Sequence, residues 1–269
     1  MEVKAKKSLG QNFLKDQDVI DQIFSIAEVK PTDWVLEIGP GTGALTYVLC
    51  DKVEKLMAIE LDRVLVGRLQ EHFVNSKHVS ILEGNILDVH LAELIESSTF
   101  GEHGYKIIAN IPYYITAPII RTLLSLKQPP QSLTLMVQDE VAERLAAKPG
   151  SMSLLSIMAQ YYADVEKKLF VPKEAFDPVP KVDSAVIHIV PKRQYEEEAD
   201  KKLFRIVRAG FSARRKTLAN NLANTFTLPR ASVEGYIERL GLRKDIRAQA
   251  LSLTDWENLC ALWDQEKSV

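Results

Sequence analysis

Trp34-Val35-Leu36-Glu37-Ile38-Gly39-Pro40-Gly41-Thr42-Gly43 is the stretch that decides the fold. A short apolar run enters three glycines at alternate positions, and Leu45 to Leu49 continues as a helix. An apolar run this short, bounded by turn residues, reads as a strand buried on both faces. Glycines permit a tight turn and let backbone approach a ligand closely. The spacing is not the dinucleotide pattern G-x-G-x-x-G, and no Walker lysine follows. By itself the turn points to a nucleotide-type cleft without naming its ligand.

Outward from this unit the same grammar repeats. Upstream, residues 16–29 carry Val19, Ile20, Ile23, Phe24 and Ala27 on one helical stripe. Downstream, Leu56 to Glu60, Val79 to Glu83, Lys106 to Ala109 and Leu133 to Val137 read as further short strands. Asp62 to Phe73 reads as a helix between the first two of these. Buried strands alternating with helices predict an α/β fold with a mostly parallel sheet covered on both faces. Ser184 to Val190 alternates and predicts an antiparallel edge strand. The polar stretch Pro191 to Glu198 breaks the pattern, and helical periodicity follows at Leu203 to Phe211, Lys216 to Thr225, Ser232 to Leu240 and Asp255 to Trp263. The expected organisation is a catalytic domain over 1–190, a linker over 191–200 and a small all-helical domain over 201–269.

Composition narrows the function classes. The chain has 269 residues, 46% apolar and 26% charged, ordinary values for a globular protein. No apolar run is long enough to span a membrane, and the charged N-terminus leads into no apolar core of a signal peptide. Cys50 and Cys260 are far apart and suit reduced thiols in a cytoplasmic protein. The five histidines show no metal-ligand spacing, so no metal is expected. Charge is uneven: residues 200–269 hold 13 Lys/Arg against 8 Asp/Glu, and the rest hold 21 against 28. A basic segment on an acidic body suits either local phosphate binding or a solvated helical surface.

Five places along the chain carry the chemistry. Glu60, ending the second strand, is placed to accept from both hydroxyls of a ribose; capping the following helix is the alternative. Asn85 falls where an adenine ring would lie, or serves as a turn asparagine. Gln11-Asn12-Phe13-Leu14 is placed either to fold over a cofactor or to cap the first helix. Asn110-Ile111-Pro112-Tyr113 follows the fourth strand. The Asn110 side-chain oxygen and the Pro112 carbonyl are acceptors suited to an exocyclic amine, and Tyr113 offers a face for stacking. Phe176, at the head of the proline-stiffened loop to Ser184, is expected as a second aromatic wall or a packing anchor.

These motifs, in this order, resemble the KsgA/RsmA-type small-subunit ribosomal RNA adenine dimethyltransferases nearly end to end. Lys7 to Leu14 is similar to the family's opening motif, which packs on the cofactor. Glu37 to Gly43, Glu60 and Asn110 to Tyr113 match its cofactor and catalytic motifs, and Phe176 to Ser184 its later loop. Phe211 to Leu222, containing Arg214, Arg215 and Lys216, resembles its basic C-terminal helix. Two departures stand out: Asn85 where Asp is common, and Ile111 where Leu is common. The resemblance implies a Rossmann-like class I methyltransferase sheet with S-adenosyl-L-methionine as cofactor, held by Gln11, Asn12, Leu14, Gly39, Gly41, Gly43, Glu60, Asn85 and Asn110. It also implies catalysis by Asn110, Pro112, Tyr113 and Phe176, with RNA held by Arg214, Arg215 and Lys216. The implied target is two adjacent adenosines near the 3′ end of 16S rRNA in an assembling small ribosomal subunit, with the protein acting as a monomer. Three rivals remain at this stage: a large-subunit rRNA adenine methyltransferase, a catalytically idle assembly factor, and a DNA adenine methyltransferase.

Overall fold

A computed structural model describes residues 5–6 and 9–267. Lys7 and Ser8 of the opening motif lie outside the described residues. The chain divides into two compact units, Met1–Glu143 with Ala163–Gln194, and Arg144–Tyr162 with Tyr195–Val269.

In the first unit the elements run β1 (Phe13–Leu14), α1 (Gln17–Ala27), β2 (Trp34–Ile38), α2 (Thr46–Cys50), β3 (Lys55–Glu60), α3 (Arg63–His72) and β4 (Val79–Glu83). They continue with α4 (Leu91–Ser97), α5 (Phe100–His103), β5 (Lys106–Asn110), α6 (Thr116–Leu124), β6 (Ser132–Gln138) and α7 (Asp139–Leu145). After α8 (Leu154–Tyr162) come β7 (Ala163–Val171), β8 (Phe176–Asp177) and β9 (Ser184–Pro191). Among the described residues, seven strands form one sheet in the order β4-β3-β2-β5-β6-β9-β7. The pairs from β4 to β6 are parallel, and β9 joins β6 and β7 antiparallel. β2 is buried along its whole length, as expected for a strand covered on both faces.

The strand order reverses between β2 and β5, since β3 and β4 extend to one side and β6 to the other. At such a switch point a crevice opens beyond the carboxyl ends of the strands. Gly39, Glu60, Asn85 and Asn110 all stand at those ends.

Helix α1 buries Val19, Ile20, Ile23, Phe24 and Ala27, the stripe legible in sequence. Its N-cap is Asp16, whose Oδ1 accepts from Asp18 and Val19 N–H. The segment 11–14 therefore does not cap α1; Phe13–Leu14 pairs antiparallel with Phe176–Asp177.

The antiparallel edge strand is present, but it is β7, with β9 one place inside it. β7 shows no long apolar run because every second side chain faces out, as Asp164, Glu166 and Lys168 do. Charges and an irregular register near Lys167 and Leu169 mark it as a protected edge.

The second unit contains α9 (Glu197–Gly210), α10 (Leu218–Phe226), α11 (Arg230–Arg239) and α12 (Leu253–Lys267). It also takes in residues 144–162, which sequence reading placed in the first domain. The reason lies at Asp200, only 2% exposed. Its carboxylate accepts from Tyr161 Oη at 2.9 Å, Tyr162 Oη at 2.6 Å and Glu196 N–H at 3.0 Å. Tyr161 and Tyr162 also pack on Phe204. The expected linker is correspondingly short, since β9 runs to Pro191 and α9 starts at Glu197.

Candidate active site

The strand ends open into a cleft of about 980 Å³, including its mouth, lined by residues of the first unit. One wall is the glycine turn, of which Gly39 and Gly41 line the cleft while Gly43 packs behind it near Tyr47 and Leu69. Gly39, Gly41 and Gly43 have φ of +67°, +60° and +93°, a region that favours glycine. The Gly41 N–H donates to Glu60 Oε2 at 3.0 Å, and the Asp62 N–H donates to Glu60 Oε1 at 2.8 Å. Each carboxylate oxygen has two acceptor sites, so each keeps one for a ligand hydroxyl. The helix-capping alternative for Glu60 is filled by Asp62, whose Oδ1 accepts from Val64 N–H.

Beneath the turn sits Glu37, 1% exposed, with no hydrogen-bond partner for Oε2 among the described residues. Burial pushes its carboxyl up to about 8; the Thr46 hydroxyl opposes this weakly and the Glu60 charge reinforces it. The geometry falls short of a full Thr46–Glu37 hydrogen bond, because Thr46 Oγ1 has no such partner. Burial thus favours the protonated form of this carboxyl on the floor of the cleft. Glu37 looked in sequence like one residue of an apolar strand, and its acidity within such a run was the available signal.

Asn85 makes the turn that closes β4. Its Oδ1 accepts from Leu87 N–H at 3.1 Å and its Nδ2 donates to Asp88 Oδ2 at 2.8 Å. It lines the cleft nonetheless, and Oδ1 retains a second acceptor site. Gln11, Asn12 and Leu14 also line the cleft. Both ends of the Gln11 amide are engaged, Oε1 by the Lys6 N–H and Nε2 with Asp62.

On the opposite wall, Asn110 Nδ2 donates to the Asn12 carbonyl at 3.3 Å. Its Oδ1 has no partner among the described residues, so the side chain presents an acceptor. The Pro112 carbonyl already accepts from Ile115 N–H at 3.1 Å. Ile111 also lines the cleft, and its carbonyl accepts no hydrogen bond among the described residues. It is a second acceptor that side-chain reasoning passed over. Tyr113 Oη is 2.6 Å from Ser184 Oγ. Burial raises the phenol above its usual range, the Ser184 bond lowers it and the Asp183 charge raises it further.

Two expected placements change. Phe176 does not line the cleft: it is fully buried in the cluster with Leu14, Val19 and Phe24. Pairing of β8 with β1 sets this side chain opposite Leu14 and inward. The aromatics that line the cleft are Phe13, Tyr113 and Tyr114, of which Tyr114 is 59% exposed. Arg214, Arg215 and Lys216 are exposed but precede the helix: α10 begins at Leu218, with Thr217 as its N-cap. Among the described residues none of the three has an ion-pair partner.

A mostly parallel sheet with this switch point and a glycine turn at its strand ends define the fold of a class I methyltransferase. The residues present fit S-adenosylmethionine, because Glu60 and the Cβ-free turn leave acceptors and space where its nucleoside would bind. The ribosomal RNA adenine dimethylase family model matches residues 2–265, and the chain belongs to that family. It is a S-adenosylmethionine-dependent rRNA adenine N6-methyltransferase. Among its relatives, the ribosomal RNA small subunit methyltransferase A of Bacillus cytotoxicus is 39% identical, covering 94% of this chain and 89% of the relative. That of Dehalococcoides mccartyi is 38% identical, covering 96% and 88%. A dimethyladenosine transferase from Plasmodium falciparum superposes with a TM-score of 0.79 at 26% identity, covering 95% and 98%. The 23S rRNA methyltransferase ErmE gives 0.73 at 25%, covering 94% and 100%. Among the described residues no helix is long and apolar enough to cross a membrane, and no cluster of side chains suits a metal.

Proposed function

We propose that the protein transfers methyl groups to N6 of two adjacent adenosines near the 3′ end of 16S rRNA in the assembling small subunit. The observation that carries the chemistry is the orientation of Asn110. Its Nδ2 is held by the Asn12 carbonyl, which leaves Oδ1 to accept a hydrogen from an exocyclic amine. Gripping that amine by its hydrogens turns its lone pair away from the ring, which is what a poor nucleophile needs. S-adenosylmethionine, when bound, supplies a methyl on a positively charged sulfur. With it held there, N6 would take the methyl as the sulfur gives it up, and the amine would release its proton to solvent. The Ile111 and Pro112 carbonyls supply the further acceptor. After one transfer a single hydrogen remains on N6, and Asn110 alone suffices to hold it. Tyr113, fixed by Ser184, stacks on the extruded base, and Tyr114 takes the second stacking role expected of Phe176.

Glu60 holds the ribose, the glycine turn admits the rest of the cofactor, and Gln11, Asn12 and Leu14 cover it, with Asn85 toward its adenine. The unpaired cations Arg214, Arg215 and Lys216 grip rRNA phosphates. In this reading the protein acts as a monomer. Small-subunit RNA is favoured because the relatives named for the small subunit are 38–39% identical along nearly the whole chain.

The test is to incubate the protein with methyl-labelled S-adenosylmethionine and unmethylated small subunits, then map the product by nuclease digestion and mass spectrometry. Dimethyladenosine at two neighbouring positions is expected. Label confined to large-subunit RNA overturns the target, and subunit binding without label makes the chain an assembly factor. Reversing charge at Arg214 and Arg215 together should weaken subunit binding and flatten its dependence on salt.

A further inference from the structure

The segment Leu9–Leu14 reaches both halves of the cleft. Gly41 lies so near Phe13 that an added Cβ would stand 3.2 Å from its ring, and one on Gly10 would stand 3.3 Å from Tyr114. The Asn12 carbonyl orients Asn110. Backbone pairing anchors only the far end of the segment, because β1 is two residues long. Something else must hold the near end.

Asp62 does so. Its side chain is 3% exposed, yet it accepts from Lys6 Nζ at 2.7 Å and from Gln11 Nε2 at 2.9 Å. Gln11 Oε1 in turn accepts the Lys6 N–H at 2.7 Å, closing a ring of three residues. The same carboxylate caps α3 through Val64 N–H, so one rigid helix start carries the anchor. Its backbone N–H is held by Glu60 Oε1 at 2.8 Å. The carboxylate offered to ribose and the carboxylate holding the segment are therefore joined through one amide.

We propose that Asp62 is a positioning residue that latches the N-terminal segment over the cofactor cleft through Lys6 and Gln11, and thereby slows release of bound cofactor. The physical reason is the cost of opening. Opening exchanges the lysine and amide donors of this carboxylate for water, which forfeits a charge-assisted pair held in fixed geometry and leaves only the helix cap in place. A cofactor that touches the closed segment then shifts the molecule further toward closure. The proposal rests on the cleft being the S-adenosylmethionine site.

The experiment measures binding and release of S-adenosylhomocysteine on the full chain by calorimetry and stopped flow. The variants are Lys6→Ala, Lys6→Arg, Asp62→Asn and the double variant Lys6→Ala with Asp62→Asn. Lys6 is 47% exposed, so its truncation leaves the core intact, and Asn at 62 keeps an acceptor for the α3 cap. Lys6→Ala should raise Kd and the release rate about 5- to 20-fold, a charge-assisted bond discounted for partial exposure. Lys6→Arg should restore both, and kcat at saturating cofactor should stay within about twofold of wild type. Adding Lys6→Ala to Asp62→Asn should change little, because both remove one interaction. Wild-type release in Lys6→Ala, or effects that simply add, overturns the latch. Failure of the wild type to bind S-adenosylhomocysteine overturns the cofactor reading instead.

Discussion

The two turns that face each other across the cleft are built differently. The turn at Gly39–Gly43 is made of backbone: its shape comes from glycines at positive φ, and its one side-chain partner, Glu60, is 19 residues away in sequence. The turn at Asn110–Tyr113 adds side chains to its backbone carbonyls, and distant residues aim them. Asn110 is oriented by Asn12, 98 residues away, and Tyr113 by Ser184, 71 residues away. A backbone-built site is specified locally and fails by strain. A side-chain-built site is specified by the whole fold and fails by misorientation.

The contrast breaks first at Asn110. Asn110→Ala should lower methyl transfer by about a thousandfold or more, since a positioned polar group at the reacting centre contributes on that scale. Binding of S-adenosylhomocysteine should stay within a few-fold. Normal turnover in this variant would remove the amine-holding role.

Glu37 tests the floor of the glycine turn. Its carboxyl is raised to about 8 by burial, so the folded state keeps the proton that the unfolded chain loses near its ordinary value. The stability this contributes is complete at low pH and is lost as pH rises toward 8. Glu37→Gln removes that dependence, and its amide can donate to the unpaired Thr46 hydroxyl. Thermal unfolding from pH 5 to 8 should decline more steeply for wild type, by on the order of 2–4 kcal/mol. Parallel curves for the two proteins would show that Glu37 is ionised in the folded state.

Glycine substitution sharpens the strain argument. A Cβ at Gly43 would stand 2.7 Å from the Tyr47 ring and 3.0 Å from Leu69, at a φ of +93°. Gly43→Ala should cost about 2 kcal/mol, a melting shift of roughly 5 °C, and should weaken cofactor binding with it. Gly41→Ala, facing only the Phe13 ring, should cost less.

The smallest effect belongs to Ser184→Ala. Tyr113 loses its hydroxyl partner, worth about 1 kcal/mol. KM for the subunit should rise several-fold while cofactor affinity is unchanged. A drop in cofactor affinity of the same size would mean that the two turns are not separable.

Sequence alone was strong on β2, on the α1 stripe and on the strand ends. Those rest on local periodicity and on glycine's backbone freedom, which a short window contains. It was weak where position depends on partners far along the chain. Phe176 is a loop aromatic in sequence, and pairing with Leu14 makes it core. Residues 144–162 read as part of the catalytic domain until Asp200 and the two tyrosines are seen together. The basic triad lies in a turn because Thr217, not Lys216, starts its helix. Asp62 looks like an ordinary N-cap, and only the fold brings Lys6 and Gln11 to it.

The amino-acid order by itself therefore determined the α/β architecture, the cleft at the strand ends and the chemical class of its two walls. Tertiary structure decided which atoms of those residues remain unpaired, hence which can meet a ligand. The reason is physical: hydrogen-bond capacity belongs to the residue, but whether it is already spent depends on neighbours that the chain supplies only after folding.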